Sequence, residues 1–108
     1  MTIATAFQPA RGQNQKITAT TTSAPYVIGK GNKSLRLLNV GANVIFVRTF
    51  NSVTESGTTA TAGDTPLGIA GSPGAMLVIE KPQDHDSLAC LAETASTIFH
   101  AQPGEGGA

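Results

Sequence analysis

Ser34-Leu35-Arg36-Leu37-Leu38-Asn39-Val40-Gly41-Ala42-Asn43-Val44-Ile45-Phe46-Val47-Arg48-Thr49-Phe50 decides the fold class of this chain. From Ser34 to Val40, Leu35 and Leu37 fall on one face and Arg36 and Leu38 on the other, the two-residue period of a strand. From Val44 to Phe50 the period repeats, with Val44, Phe46 and Arg48 opposite Ile45 and Val47. Asn39 to Asn43 reads as a turn of the kind that joins hairpin strands, with Gly41 free to take positive φ.

Outward from this pair, strand signals recur at short intervals. Upstream lie Thr-rich Lys16 to Thr22 and, after Pro25, Tyr26 to Ile28, closed by a turn at Gly29-Lys30-Gly31-Asn32. Downstream, Asn51 to Gly63 is polar and small, either a long loop or a weak edge strand. Thr65 to Ala70 is a short strand, and Gly71-Ser72-Pro73-Gly74 a turn. Ala75 to Glu80 is an apolar strand ended by Pro82, and Gln83 to Ser87 is a polar loop. Leu88 to Ala92 and Thr97 to Ala101 read as a closing pair of strands. Leu88, Leu91 and Ala92 also fit a helical spacing within Ser87 to Ser96, but the β-rich neighbours favour strand. Strands at this spacing predict an all-β fold, a single β-sandwich of jelly-roll or Greek-key type. Residues 1–14 read as an extended N-terminal arm, 15–102 as the sandwich domain, and 103–108 as a Gly-rich C-terminal tail.

Composition supports one compact domain. The 108 residues are 40% hydrophobic and 13% charged, about half the usual charged fraction, yet rich in Thr, Val and Ile, which is not the disorder pattern. No run approaches the roughly 20 apolar residues of a membrane-spanning helix, and Met1 to Ala10 has neither the basic nor the apolar region of a secretion signal. Cys90 is the sole cysteine, so an internal disulfide is impossible and folding in the cytosol is the expectation. Net charge is zero but uneven. Residues 1–50 hold six bases and no acid, and residues 51–108 hold seven acids and Lys81. Either the halves interleave and neutralise across strands, or the chain carries a dipole that aligns copies. With no basic cluster and few aromatics, nucleic acid is not an expected partner.

The search for chemistry yields little. Asp84-His85-Asp86 alternates potential metal ligands, but strand neighbours point apart and a site needs convergence, so a solvated loop is the expectation and no metal is assigned. Cys90 within Leu88 to Ala92 reads as a small buried hydrophobe, and His100 beside Phe99 as structural. A Cys90/His100 dyad has only residue type behind it. Gly29-Lys30-Gly31 lacks the spacing of a phosphate loop. No cofactor and no catalytic residue is expected, and the chain reads as a non-enzymatic structural or binding module.

The order of several short motifs resembles small virion proteins of tailed bacteriophages. These are Ser34 to Gly41 followed by Val44-Ile45-Phe46-Val47-Arg48, the polar Val53 to Asp64 stretch, the apolar strand after the Gly71 to Gly74 turn, the opening Thr5-Ala6-Phe7-Gln8-Pro9, and the close Pro103-Gly104-Glu105-Gly106-Gly107. The resemblance implies a jelly-roll-type sandwich acting as a decoration or cement protein on the outer capsid surface. It also implies the major capsid protein as partner and a dimer or trimer on the shell. Head–tail, fibre or spike roles, including a receptor- or glycan-binding module, are the alternatives. The expected partner interface comprises Phe7, Gln8, Pro9, Arg11, Gln13, Pro103 and Glu105, together with the loop from Asn51 to Gly63. Phe7 either anchors in a partner's pocket or folds back on its own domain.

Overall fold

A computed structural model describes residues 7–105. Thr5 and Ala6 at the chain's opening and Gly106 to Ala108 at its close lie outside the described residues. Nine strands follow in order: β1 (Gln8–Pro9), β2 (Gln15–Ala19), β3 (Ala24–Val27), β4 (Ser34–Asn39), β5 (Ile45–Phe50), β6 (Thr65–Leu67), β7 (Met76–Glu80), β8 (Ser87–Ala92) and β9 (Thr97–Glu105). The only helical element among the described residues is a 3₁₀ turn, Pro73–Ala75, before β7. The helical alternative for Ser87 to Ser96 is excluded, since Ser87–Ala92 is strand.

Two antiparallel sheets pack face to face as a β-sandwich. In the first, β9 lies between β4 and an edge shared by β1 and β2, and β7 forms the far edge beyond β4. The second runs β3-β8-β5-β6. The alternation read from the sequence sets the core. Leu35 and Leu37 of β4 meet Ile45 and Val47 of β5, with Ile17, Leu67, Leu88, Cys90 and Phe99, all buried between the sheets. Burial of this apolar surface is the main favourable term in the fold.

Two pairings differ from expectation. β4 and β5 do not form a hairpin: β4 lies between β9 and β7, and β5 between β8 and β6, so residues 40–44 cross from sheet to sheet. Gly41 serves the crossing by size, since a Cβ there would lie 1.6 Å from Thr97 Oγ1. Asn39 ties the crossing down, its Nδ2 donating to the Asn43 carbonyl at 2.7 Å and its Oδ1 accepting from Gly41 N–H at 2.8 Å. Likewise β8 and β9 are not a pair, for β8 lies between β3 and β5 in the second sheet. Strand alternation looks the same whether the next strand pairs alongside or crosses over, which is why the sequence could not separate the two.

The ends also differ. β9 continues to Glu105, three residues beyond the expected domain boundary, and Pro103 and Gly104 are buried. Pro103 is tolerated within the sheet because its missing N–H faces β1 and β2, where the ladder is already broken. β1 pairs Pro9 with Gly104, β2 pairs Gln15 with Ala101, and the Arg11-Gly12 turn lies between, with Gly12 at φ 76°. The Ala10 N–H still donates to the Pro103 carbonyl at 2.9 Å, and the Ala10 carbonyl accepts from Gln13 N–H at 3.1 Å. Residues 8–9 of the expected arm are therefore strand, laid along the domain's own edge.

Candidate functional site

Three regions collect the polar and aromatic residues that a function could use. The first is the edge where the first and last described strands, β1 and the end of β9, meet. Of the residues expected at a partner interface, Gln8 and Pro9 pair by backbone with Glu105 and Gly104. Phe7 is half-buried, with the Arg36 guanidinium carbon 5.3 Å from its ring centroid, so it rests on its own domain through a cation–π contact. Pro9, Arg11 and Gln13 are exposed beside it. Glu105 Oε2 accepts from Lys33 N–H at 2.9 Å. Pro103, fully buried opposite Leu35, belongs to the sheet interior and not to the surface. Asn14, Arg36, Leu38, His100 and Gln102 line a shallow depression of about 290 Å³ on the adjoining outer face. His100 Nδ1 lies 3.0 Å from Asn14 Nδ2, and Arg36 hydrogen-bonds Gln102.

The second region is the outer face of the second sheet. Phe46, Arg48 and Phe50 of β5 and Ala89 and Leu91 of β8 point away from the main core, because their neighbours point into it. The 51–64 connection folds back over this face. Ala60 joins Phe50 and Ala89 in a small second core flanked by Leu91, and its N–H is held by Ser23 Oγ at 2.8 Å. Asp64 closes the connection with an ion pair to Arg48 at 2.7 Å. Between this connection and β3 runs an apolar groove of about 410 Å³, walled by Pro25, Tyr26, Val27 and Phe50 and rimmed by Ser23, Ser52, Ser56 and Thr58.

The third region closes one end of the sandwich. Lys81, 2% exposed, turns its ammonium to the His85 carbonyl at 2.8 Å and the Pro82 carbonyl at 3.4 Å. Burial lowers its pKa, partly opposed by Asp84, Glu105 and Asp86. His85 is not a solvated loop residue. Its Nδ1 lies 3.0 Å from Thr49 Oγ1 and its Nε2 3.4 Å from Glu55 Oε1. Glu55 Oε1 also accepts from Asn51 N–H at 3.2 Å. Asp86 turns elsewhere, accepting from Ser52 N–H at 2.9 Å and Ser52 Oγ–H at 2.7 Å, and these bonds bring its carboxyl down to about 2. The order hydroxyl, imidazole, carboxylate at Thr49, His85 and Glu55 has the polarity of a proton relay when Nε2–H donates to Glu55. The same contacts tie Thr49 of β5 and Glu55 of the 51–64 connection to His85 in the loop before β8, so they also have a structural task.

Asp84, His85 and Asp86 do not converge, and among the described residues no group of three His, Cys, Asp or Glu side chains is placed to hold a metal. Cys90 and His100 are apart. Cys90 faces the core from the second sheet, where burial pushes its thiol up to about 12, and His100 faces outward from the first. The charge halves interleave, since both sheets draw strands from both ends of the chain. Even so, Arg48–Asp64 is the one Lys or Arg ion pair with a carboxylate among the described residues. Sequence reading missed the Lys81–His85 plug and the aromatic groove. Both depend on which loops meet at one end or over one face. Only the placement of His85 between two acids hinted at a network.

No family model matches this chain, and no curated protein or solved structure matches it either.

Proposed function

We propose that this chain is a non-catalytic virion structural protein, a decoration or cement protein that binds the outer capsid surface and bridges major capsid subunits. The observation that carries the reading is the nesting of strand pairs, β2 with β9, β3 with β8, β4 with β7 and β5 with β6. This nesting supports the reading as a jelly roll, an architecture used by viral capsid and lectin domains. It agrees with the resemblance to small tailed-phage virion proteins in the order of the chain's motifs. Fold analogy alone leaves function open, so the contact surface has to be tested directly.

The surface assigned to the shell is the edge where β1 and the end of β9 meet, with Phe7, Pro9, Arg11, Gln13 and Glu105 on its described part. With its strands blocked against backbone pairing, a surface of this kind binds by a few side-chain anchors, and many copies on a shell add avidity. The test is to mix purified protein with phage shells lacking it and sediment them. Saturable co-sedimentation, with shells that better resist heat, supports the reading. Arg11→Glu should weaken binding while leaving the circular dichroism spectrum intact. No binding to any shell form overturns it.

A second reading, a glycan-binding fibre or spike module, is favoured by the groove that Tyr26 lines beside serine and threonine hydroxyls, with Phe50 buried at its floor. Aromatic faces with flanking hydroxyls suit a sugar's apolar face and its hydroxyls. A glycan array reports on it. Binding lost in Tyr26→Ala and kept in Arg11→Glu would move the assignment to this groove.

A further inference from the structure

We infer that the β7 edge is a self-pairing surface: two copies join by antiparallel β7–β7 pairing about a two-fold axis at Val78, extending the first sheet across the dimer. The argument begins with the exposed sheet edges, where unpaired backbone groups invite another strand unless something blocks them. Four edges are blocked. β1, β3 and β6 carry Pro9, Pro25 and Pro66. β2 carries Lys16, and its Thr18 carbonyl accepts from the Tyr26 hydroxyl at 3.0 Å. The Val27 carbonyl of β3 is taken by Gln15 Nε2 at 2.7 Å. β7, Met76-Leu77-Val78-Ile79-Glu80, has no proline, no lysine and no covering segment among the described residues.

The register shows which β7 groups are free. Lys81 N–H donates to the Lys33 carbonyl at 2.7 Å, so Lys33 and Lys81 stand at a hydrogen-bonded position of the β4–β7 ladder. Hydrogen-bonded pairs alternate along an antiparallel ladder, which makes Leu35–Ile79 and Leu37–Leu77 the next two. The N–H and C=O groups of Met76, Val78 and Glu80 therefore point away from β4, and none of the loop hydrogen bonds among the described residues reaches them.

These three residues are complementary to themselves. With Val78 opposite Val78 of the second copy, Met76 faces Glu80 and Glu80 faces Met76. All three pairs then exchange hydrogen bonds. A slip of two residues in either direction aligns only two such pairs. A slip of four brings the two Glu80 carboxylates together or leaves Met76 as the sole pair. The centred register also keeps the Glu80 charges at opposite ends.

Side chains point the same way. Met76 and Leu38, cross-strand partners on the outer face, are 55% and 38% exposed. Leu77 and Ile79 face the core but are only partly buried at its rim. A second β7 would cover both sets and continue the core across the axis. The partner is thus a second copy of this chain, and the pairing needs no shell, so its failure and that of the shell-binding proposal are distinguishable.

Sedimentation velocity of the purified full chain over a concentration series tests it. The expected result is a concentration-dependent shift to twice the monomer mass. In Val78→Lys, which sets two ammonium groups side by side at the axis, that shift should disappear while circular dichroism stays as in the unsubstituted chain and the melting temperature no longer rises with protein concentration. Hydrogen-bonded pairs have Cα atoms about 5.5 Å apart, within disulfide reach. Val78→Cys should therefore cross-link to a covalent dimer under mild oxidation, and this variant decides alone if Val78→Lys does not fold. A monomer at the highest soluble concentration, a dimer that survives Val78→Lys, or a Val78→Cys chain that does not cross-link overturns the proposal.

Discussion

The two sheets share one core but treat their outer faces differently. Outside the second sheet, Phe50 is 4% exposed, because the 51–64 connection lies across it and buries its own Ala60, also 4% exposed, against the sheet. Outside the first, Leu38 and Met76 stay open, and residues 7–14 cover only the edge beside β9. Alternation equips both faces with apolar side chains. What separates them is a connection of enough length, carrying small residues, that can fold back and find bonding partners. Burying an apolar residue under a loop contributes stability only if the loop's backbone groups are satisfied. Here Asn51 Oδ1 accepts from Val53 and Thr54 N–H, Asp64 Oδ2 from Thr61 N–H, and Ser23 Oγ from Ala60 N–H.

The sharpest way to break this contrast is Phe50→Ala. It should lower unfolding stability by about 3 kcal/mol in urea titration, through lost burial and the cavity left under the connection. A loss as small as that of an exposed residue would mean the connection is no real cover. Asn51→Ala should cost about 1–2 kcal/mol, since it strips an acceptor from two backbone N–H groups. Hydrogen exchange should accelerate at Val53 and Thr54 and stay unchanged in β9.

Acid provides a third probe. The folded-state pKa of Asp86, about 2, lies below the ordinary carboxyl value of about 3.9. Its contribution is therefore present above about pH 4 and lost as pH falls towards 2. Ser52→Ala removes the hydroxyl partner, so its melting temperature should depend less steeply on pH across that window than the unsubstituted chain's. The smallest effect should come from the open face. In dilute solution, where the chain is a monomer, Leu38→Ala should change stability by no more than about 0.5 kcal/mol. The loss should grow with protein concentration as a second copy covers this face.

Much of the fold was legible in the residues. The grouping of Leu35 with Leu37 and of Ile45 with Val47 was legible because a two-residue period puts alternate side chains on opposite faces, and the packing then turned both pairs inward. Cys90 as a small buried hydrophobe followed from the apolar run around it. Of the residues expected at an interface, Gln8 and Pro9 lie against Glu105 and Gly104, while Pro103, read as tail, lies in the sheet. Proline within a strand is an edge or end signal on its own. Here a break in the partner edge, invisible in Pro103's own neighbourhood, removes the penalty.

Local sequence thus determined that the chain is all-β, where most of its strands fall and which side chains of β4 and β5 share a face. Those properties follow from side-chain chemistry and backbone sterics within a few residues. Tertiary structure alone decided that β4 and β5 part company at Gly41 and that β8 and β9 lie in different sheets. It also decided that β1 and the end of β9 share one edge and that the 51–64 connection closes one outer face while the other stays open. Each of these depends on contacts between segments far apart in the chain. Their free energy comes from burying two surfaces against each other, and no local pattern of residues encodes which two will meet.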